Sequence, residues 1–140
     1  MIELNSLTMD EYYNLLNILG WKAPSKRLLK ISLENGINVK YILDGKTIGM
    51  ARYVSDGGYA ELIMDVIVHP DYQGNGYGTK LIQYLVDYLS SNLQEGEELM
   101  IQLLAAPGKQ SFYSKFGFKV KKEIAEEGMY MWLKKWSSKT

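Results

Sequence analysis

Gln73-Gly74-Asn75-Gly76-Tyr77-Gly78 stands between an apolar run, residues 64–68 closed by His69-Pro70, and a helical pattern that opens at Thr79. Glycine at alternate positions leaves the main chain unshielded by side chains, so its N–H groups can turn inward together. The helix that follows adds its positive dipole end at the same point. Such a segment is an anion cradle, suited to a pyrophosphate. Two common cradles are excluded by spacing. A dinucleotide G-x-G-x-x-G counted from Gly74 needs glycine where Thr79 stands, and a Walker loop needs Gly-Lys-Ser/Thr where this chain reads Gly78-Thr79-Lys80.

What remains is Q/R-x-x-G-x-G, carried by Gln73, Gly76 and Gly78, and in this form the segment resembles the coenzyme A pyrophosphate loop of the GCN5-related N-acetyltransferase (GNAT) superfamily. A glycine-rich turn that merely joins a strand to a helix would read the same over six residues. Further along, however, Phe112-Tyr113-Ser114-Lys115-Phe116-Gly117-Phe118 resembles the F/L-Y-x-x-x-G-F signature near the end of GNAT domains, in the right order. Softer details extend the likeness over nearly the whole chain: Gly20-Trp21, Gly49-Met50-Ala51-Arg52 and Asp65-Val66-Ile67-Val68-His69-Pro70 look like one bacterial-type subgroup of small GNAT enzymes. One departure stands out. Many relatives carry an Asn seven residues before the tyrosine, where this chain has Ala106.

A chain of 140 residues suits one domain with a real core, and residues 1–140 are expected to form one. Sixteen basic residues balance sixteen acidic ones, so no broad basic field points to nucleic acid or an anionic membrane. Without cysteine there are no disulfides, no protein thiolate and no cysteine metal site. The start, Met1-Ile2-Glu3-Leu4, has neither a basic region nor a long apolar stretch, and no run reaches membrane-spanning length. The expectation is a soluble, cytoplasmic protein.

Thr8-Met9-Asp10-Glu11 reads as a capping box, followed by Tyr12, Leu15, Leu16 and Leu19 at helical spacing until Gly20. Pro24 opens a second short helix that ends at Glu34-Asn35-Gly36. Residues 39–43 and 47–54 flank Asp44-Gly45, a strong hairpin signal, and a further strand runs over 59–68. Leu81, Ile82, Leu85, Val86 and Leu89 mark an amphipathic helix ending near Gln94-Glu95-Gly96. Residues 99–104 suit a buried strand, Pro107-Gly108 starts the short helix bearing Tyr113, and two last strands are expected near 118–123 and 129–134. A short strand at residues 2–4 can precede all of these. The order predicts one mixed-sheet α/β (α+β) domain, and the resemblance implies a single GNAT-like domain whose mostly antiparallel sheet is flanked by helices.

Acetyl transfer from a thioester to an amine needs an anchored acyl carrier, a polarised carbonyl, a neutral amine and a proton for the leaving thiolate. The resemblance implies acetyl-CoA as cosubstrate, held at its pyrophosphate by Gln73, Gly74, Asn75, Gly76, Tyr77, Gly78 and Thr79. It also implies that the main chain of Val66, Ile67 and Val68 pairs with the pantetheine arm, and that Tyr113 contacts the coenzyme. A phenol with pKa ~10 can protonate a thiolate of similar basicity, which makes Tyr113 the candidate acid. Packing among Phe112 and Phe116 is its other reading. For the base, Asp65 leads. Glu61 is four residues away and expected on the same side of the strand, His69 or a water chain are further alternatives, and a structural carboxylate is the bland reading. His69 suits a turn at the loop entrance, and a lone His without clustered carboxylates gives no metal site.

The function expected is acetyl-CoA-dependent N-acetylation of a primary amine on a small molecule by direct attack. The alternative is a non-catalytic acyl-CoA-binding or interaction module of the same fold. Tyr12, Tyr13, Trp21, Arg52 and Tyr59 are candidates for an acceptor pocket, for the edge of the core, or for a homodimer contact.

Overall fold

In the computed structural model, which describes residues 1–135, the chain divides into two compact units, Met1–Leu103 and Leu104–Thr140. The first contains β1 (Ile2–Leu4), α1 (Met9–Ile18), α2 (Lys26–Glu34), β2 (Ile37–Leu43), β3 (Lys46–Ser55), β4 (Glu61–Val68), a 3-10 turn (Pro70–Tyr72), α3 (Tyr77–Ser91) and β5 (Ile101–Leu103). The strands form one sheet in the order β1-β2-β3-β4-β5, antiparallel throughout except for the parallel pair β4 and β5.

Local chemistry sets most boundaries. The Thr8 hydroxyl accepts the Glu11 N–H at 3.1 Å and the Glu11 carboxylate accepts the Thr8 N–H at 2.9 Å, the expected box. Asp44 and Gly45 both have positive φ, 50° and 75°, as a two-residue hairpin turn needs. Ser25, rather than Pro24, caps α2. Helix α3 starts two residues before the expected Thr79, because Gly76 at φ 85° is its N-cap and Tyr77 and Gly78 join the first turn.

The sheet has two covered faces. Met50 and Ile67, paired across β3 and β4, pack with Leu7, Tyr12, Leu15, Leu16 and Leu29 beneath α1 and α2. Each buried aliphatic side chain there contributes about 2 kcal/mol. The next pair, Gly49 and Val68, faces α3, and a Cβ at Gly49 would stand 3.0 Å from the Ile67 carbonyl oxygen and 3.3 Å from Leu81 Cδ1. Only glycine lets α3 sit this close.

One irregularity redirects side chains. Arg52 lies opposite Asp65 while Tyr53 lies opposite Ile63, so Met64 is an extra residue and β4 carries a bulge. The parity of the strand flips there. Asp65 shares the face of Arg52 and α1, whereas Glu61, opposite Ser55, shares the face of Tyr53 and α3. The expectation that Asp65 and Glu61 point the same way is therefore corrected: four residues apart means one face only in a strand without a bulge.

The second unit holds α4 (Gln110–Ser114) and a 3-10 turn (Lys121–Ile124). The two strands expected near 118–123 and 129–134 are not formed. A strand must pair its main chain, and between them the chain turns at Ala125, φ 59°, a turn closed by the Lys121–Glu126 ion pair at 2.6 Å. Residues 129–133 are exposed and irregular.

Candidate active site

The glycine loop is built as a helix entrance. Gly74 and Gly76 have φ of 82° and 85°, conformations that side chains rarely adopt, and a Cβ at either would meet no neighbour. Glycine is thus demanded by backbone direction, not by crowding. Among the described residues no side chain caps α3, and Lys80 is the first residue of its opening turn whose N–H reaches back, to the Gly76 carbonyl at 3.1 Å. The N–H groups of Tyr77, Gly78 and Thr79 have no helical acceptor and point out of the dipole's positive end.

The neighbouring side chains hold this shape. His69 Nδ1 accepts the Asp71 N–H at 3.1 Å, and its ring meets Tyr72 edge-on, so the single histidine serves the turn into the loop. Gln73 Nε2 donates to the Val68 carbonyl at 3.0 Å, and Asn75 Nδ2 donates to the carbonyls of Tyr72 and Gln73. Tyr77 packs edge-on against Tyr41 at 4.7 Å, with the Lys80 ammonium over both rings.

Val66, Ile67 and Val68 form the last turn of pleat before the loop. Strand β5 pairs with β4 only over residues 61–63. Over residues 64–68 the β4 edge turned away from β3 has no strand beside it among the described residues, so its main-chain groups are available for pairing.

Asp65 lies within a tertiary network. Arg52 Nε donates to Asp65 Oδ2 at 2.7 Å and to the Tyr12 hydroxyl oxygen at 2.8 Å, and the Tyr12 hydroxyl donates to Asp65 Oδ2. The ion-paired side chains are only 11% and 15% exposed. Burial and then the Asp65 charge push the Tyr12 phenol well above its ordinary value, which keeps it a neutral donor. Of the residues offered for an acceptor pocket, Tyr12 is core and Arg52 is paired, Tyr13 lies under Lys26, and Trp21 and Tyr59 are exposed.

In the second unit Tyr113 is half-buried on α4, edge-on to Phe112 at 5.0 Å and to Phe118 at 6.0 Å, while Phe112 also meets Phe116. The structure thus brings residues 66–79 together at one strand-to-helix junction and sets Tyr113 in an aromatic cluster of its own unit. Sequence reasoning missed the partnership of Tyr12 and Arg52 with Asp65, which joins residues far apart in the chain.

A family model described as the acetyltransferase (GNAT) domain matches residues 36–120. The chain is 34% identical over 131 residues to the uncharacterized N-acetyltransferase ycf52 of Pyropia yezoensis, covering 89% of this chain and 72% of that protein. Its fold is similar to that of a Staphylococcus aureus protein of unknown function described as a "probable acetyltransferase", with a TM-score of 0.82, 26% identity, and coverage of 95% and 100% of the two chains. A GNAT-family acetyltransferase from Streptococcus pneumoniae TIGR4 has a TM-score of 0.77 at 22% identity, over 96% of this chain and 98% of that one.

Proposed function

Since the chain belongs to the GNAT acetyltransferase family, we propose that it transfers an acetyl group from acetyl-CoA to a primary amine of a small molecule by direct attack, with residues 1–140 acting as one domain. The observation that carries this reading is the uncapped N-terminus of α3, entered through two left-handed glycines, at the end of a strand whose outer edge β5 leaves open. The donor set fits the coenzyme: main-chain N–H groups and a helix dipole suit a pyrophosphate, and an open strand edge suits amides. Acetyl-CoA supplies the activated acyl group.

The N–H groups of Tyr77, Gly78 and Thr79, with the Gln73 to Gly76 turn, bind the pyrophosphate. The edge of Val66, Ile67 and Val68 aligns the pantetheine arm, and a main-chain N–H there polarises the thioester carbonyl. The amine nitrogen bonds to the thioester carbon, the C–S bond breaks, Tyr113 gives its proton to the departing sulfur, and the proton shed by the acylated nitrogen passes through solvent to restore the phenol. Asp65 has its Oδ2 engaged by both the Arg52 guanidinium and the Tyr12 hydroxyl. In this reading it is an anchor between α1 and the sheet, and the amine enters as free base after losing its proton to solvent.

Thiol release from acetyl-CoA across a panel of primary amines, with tertiary amines as controls, tests the proposal. Turnover restricted to primary amines is expected. Coenzyme binding without turnover on any amine would leave only an acyl-CoA-binding module.

A further inference from the structure

At the other end of α3 from the glycine loop, the structure holds a cleft of about 480 Å³ walled by the β3–β4 hairpin, the C-terminal ends of α2 and α3, and the approach to β5. Glu61 lines it. The residue is 5% exposed, and its Oε2 has no hydrogen-bond partner among the described residues. Its other oxygen, Oε1, accepts the Ser55 hydroxyl at 2.7 Å, and Ser55 in turn accepts the Gly57 N–H at 2.9 Å. The carboxylate is therefore fixed in place with one face unsatisfied, a costly arrangement unless a donor arrives.

The charges and dipoles that border the cleft favour a cation. Among the described residues no Lys, Arg or His lines the cleft, and Glu34 is part of its wall. Both α2 and α3 end at it, with Asn35 and Asn92 as C-caps, so two negative dipole ends converge there. Burial, then the charge of Glu61 and the neighbouring Tyr88, push the Tyr53 phenol up to about 12, consistent with an electronegative site. The size excludes a bare ion as the natural fit, and among the described residues no three His, Cys, Asp or Glu are grouped to hold a metal. The volume lies in the range of small-molecule sites, and the walls of Ile37, Leu89, Leu93 and Leu99 are apolar.

We propose that this cleft binds an organic ammonium group carried on a short apolar body, with the buried Glu61 carboxylate in its wall as the countercharge. The site needs nothing from the coenzyme loop. Helix α3 has 15 residues and separates the two by roughly 20 Å at 1.5 Å per residue.

The test is calorimetric titration of the whole protein with phenethylammonium and with neutral 2-phenylethanol, alongside chemical-shift mapping. Saturable binding of the ammonium is expected, with shifts at Tyr53, Glu61, Tyr88 and Leu89. Glu61→Gln, which removes the charge, should weaken it on the order of tenfold to a hundredfold. Leu93→Trp, which fills the cleft without touching Glu61, should abolish it and serves if Glu61→Gln does not fold. Gly78→Asp should bind the ammonium like wild type, which separates this site from any failure of the coenzyme assignment. Absence of saturable binding, equal affinity for the alcohol, or affinity unchanged in a folded Leu93→Trp would overturn the proposal.

Discussion

Arg52 and Asp65 face each other across β3 and β4 with Nε and Oδ2 2.7 Å apart, immediately beside the extra residue Met64, and Tyr12 of α1 closes the contact from above. The bulge makes this meeting possible. Without it, Asp65 would point toward α3 and Arg52 would be buried against α1 with no carboxylate opposite.

Removing one partner of so enclosed a pair leaves the other charge uncompensated. Asp65→Asn should therefore destabilise the protein by about 3 kcal/mol. If Asp65 is an anchor, kcat/KM against pH for wild type and Asp65→Asn should run parallel, both rising toward the pKa of the amine, ~10. Melting curves and pH profiles with one identified amine check both parts. Selective loss near neutral pH with recovery at high pH would instead make Asp65 the base.

Tyr113→Phe keeps the ring and its contacts with Phe112 and Phe118 while deleting the hydroxyl. Turnover should fall on the order of tenfold to a thousandfold with little change in melting temperature. Single-turnover kinetics check this where product release limits the steady state. A kcat within about twofold of wild type, with chemistry limiting, removes the acid role.

Tyr12 and Tyr53 should titrate late among the 11 tyrosines. Burial leads in raising both phenols, the Tyr53 one from 10.0 to about 12. A folded-state value above the unfolded one means the native protein holds the proton longer. The stability the Tyr53 phenol contributes is thus full below pH 10.0 and lost as pH rises through about 12, and that of Tyr12, raised further, is lost at higher pH still. Spectrophotometric phenolate titration alongside circular dichroism should show two tyrosines ionising only as the fold is lost.

The sequence carried the local devices well. Thr8 with Glu11, Asp44 with Gly45, and the spacing of Gly76 and Gly78 each satisfy a backbone need within a few residues, so they can be read without knowing the fold. The bulge could not be read. Residues 61–68, Glu-Leu-Ile-Met-Asp-Val-Ile-Val, are apolar at nearly every position, so a one-residue slip leaves hydrophobic side chains on both faces and alternation gives no warning. The same slip separated Glu61 from Asp65 and hid the Tyr12, Arg52 and Asp65 contact, which depends on strand register. At the C-terminal end, Phe118 to Lys121 alternates like a strand, but Lys121-Lys122-Glu123 breaks the alternation and a 3-10 turn forms at Lys121–Ile124.

The coenzyme loop at the N-terminus of α3 is tested most directly by calorimetric titration of acetyl-CoA into wild type and Gly78→Asp. An aspartate in the first turn of α3 suits the helix dipole, so the fold should keep or gain stability, while its charge and bulk oppose a pyrophosphate at the same N–H groups. Wild type should bind saturably and the variant at least tenfold more weakly, at an equal or higher melting temperature. Equal affinity in a folded Gly78→Asp protein would contradict the coenzyme assignment.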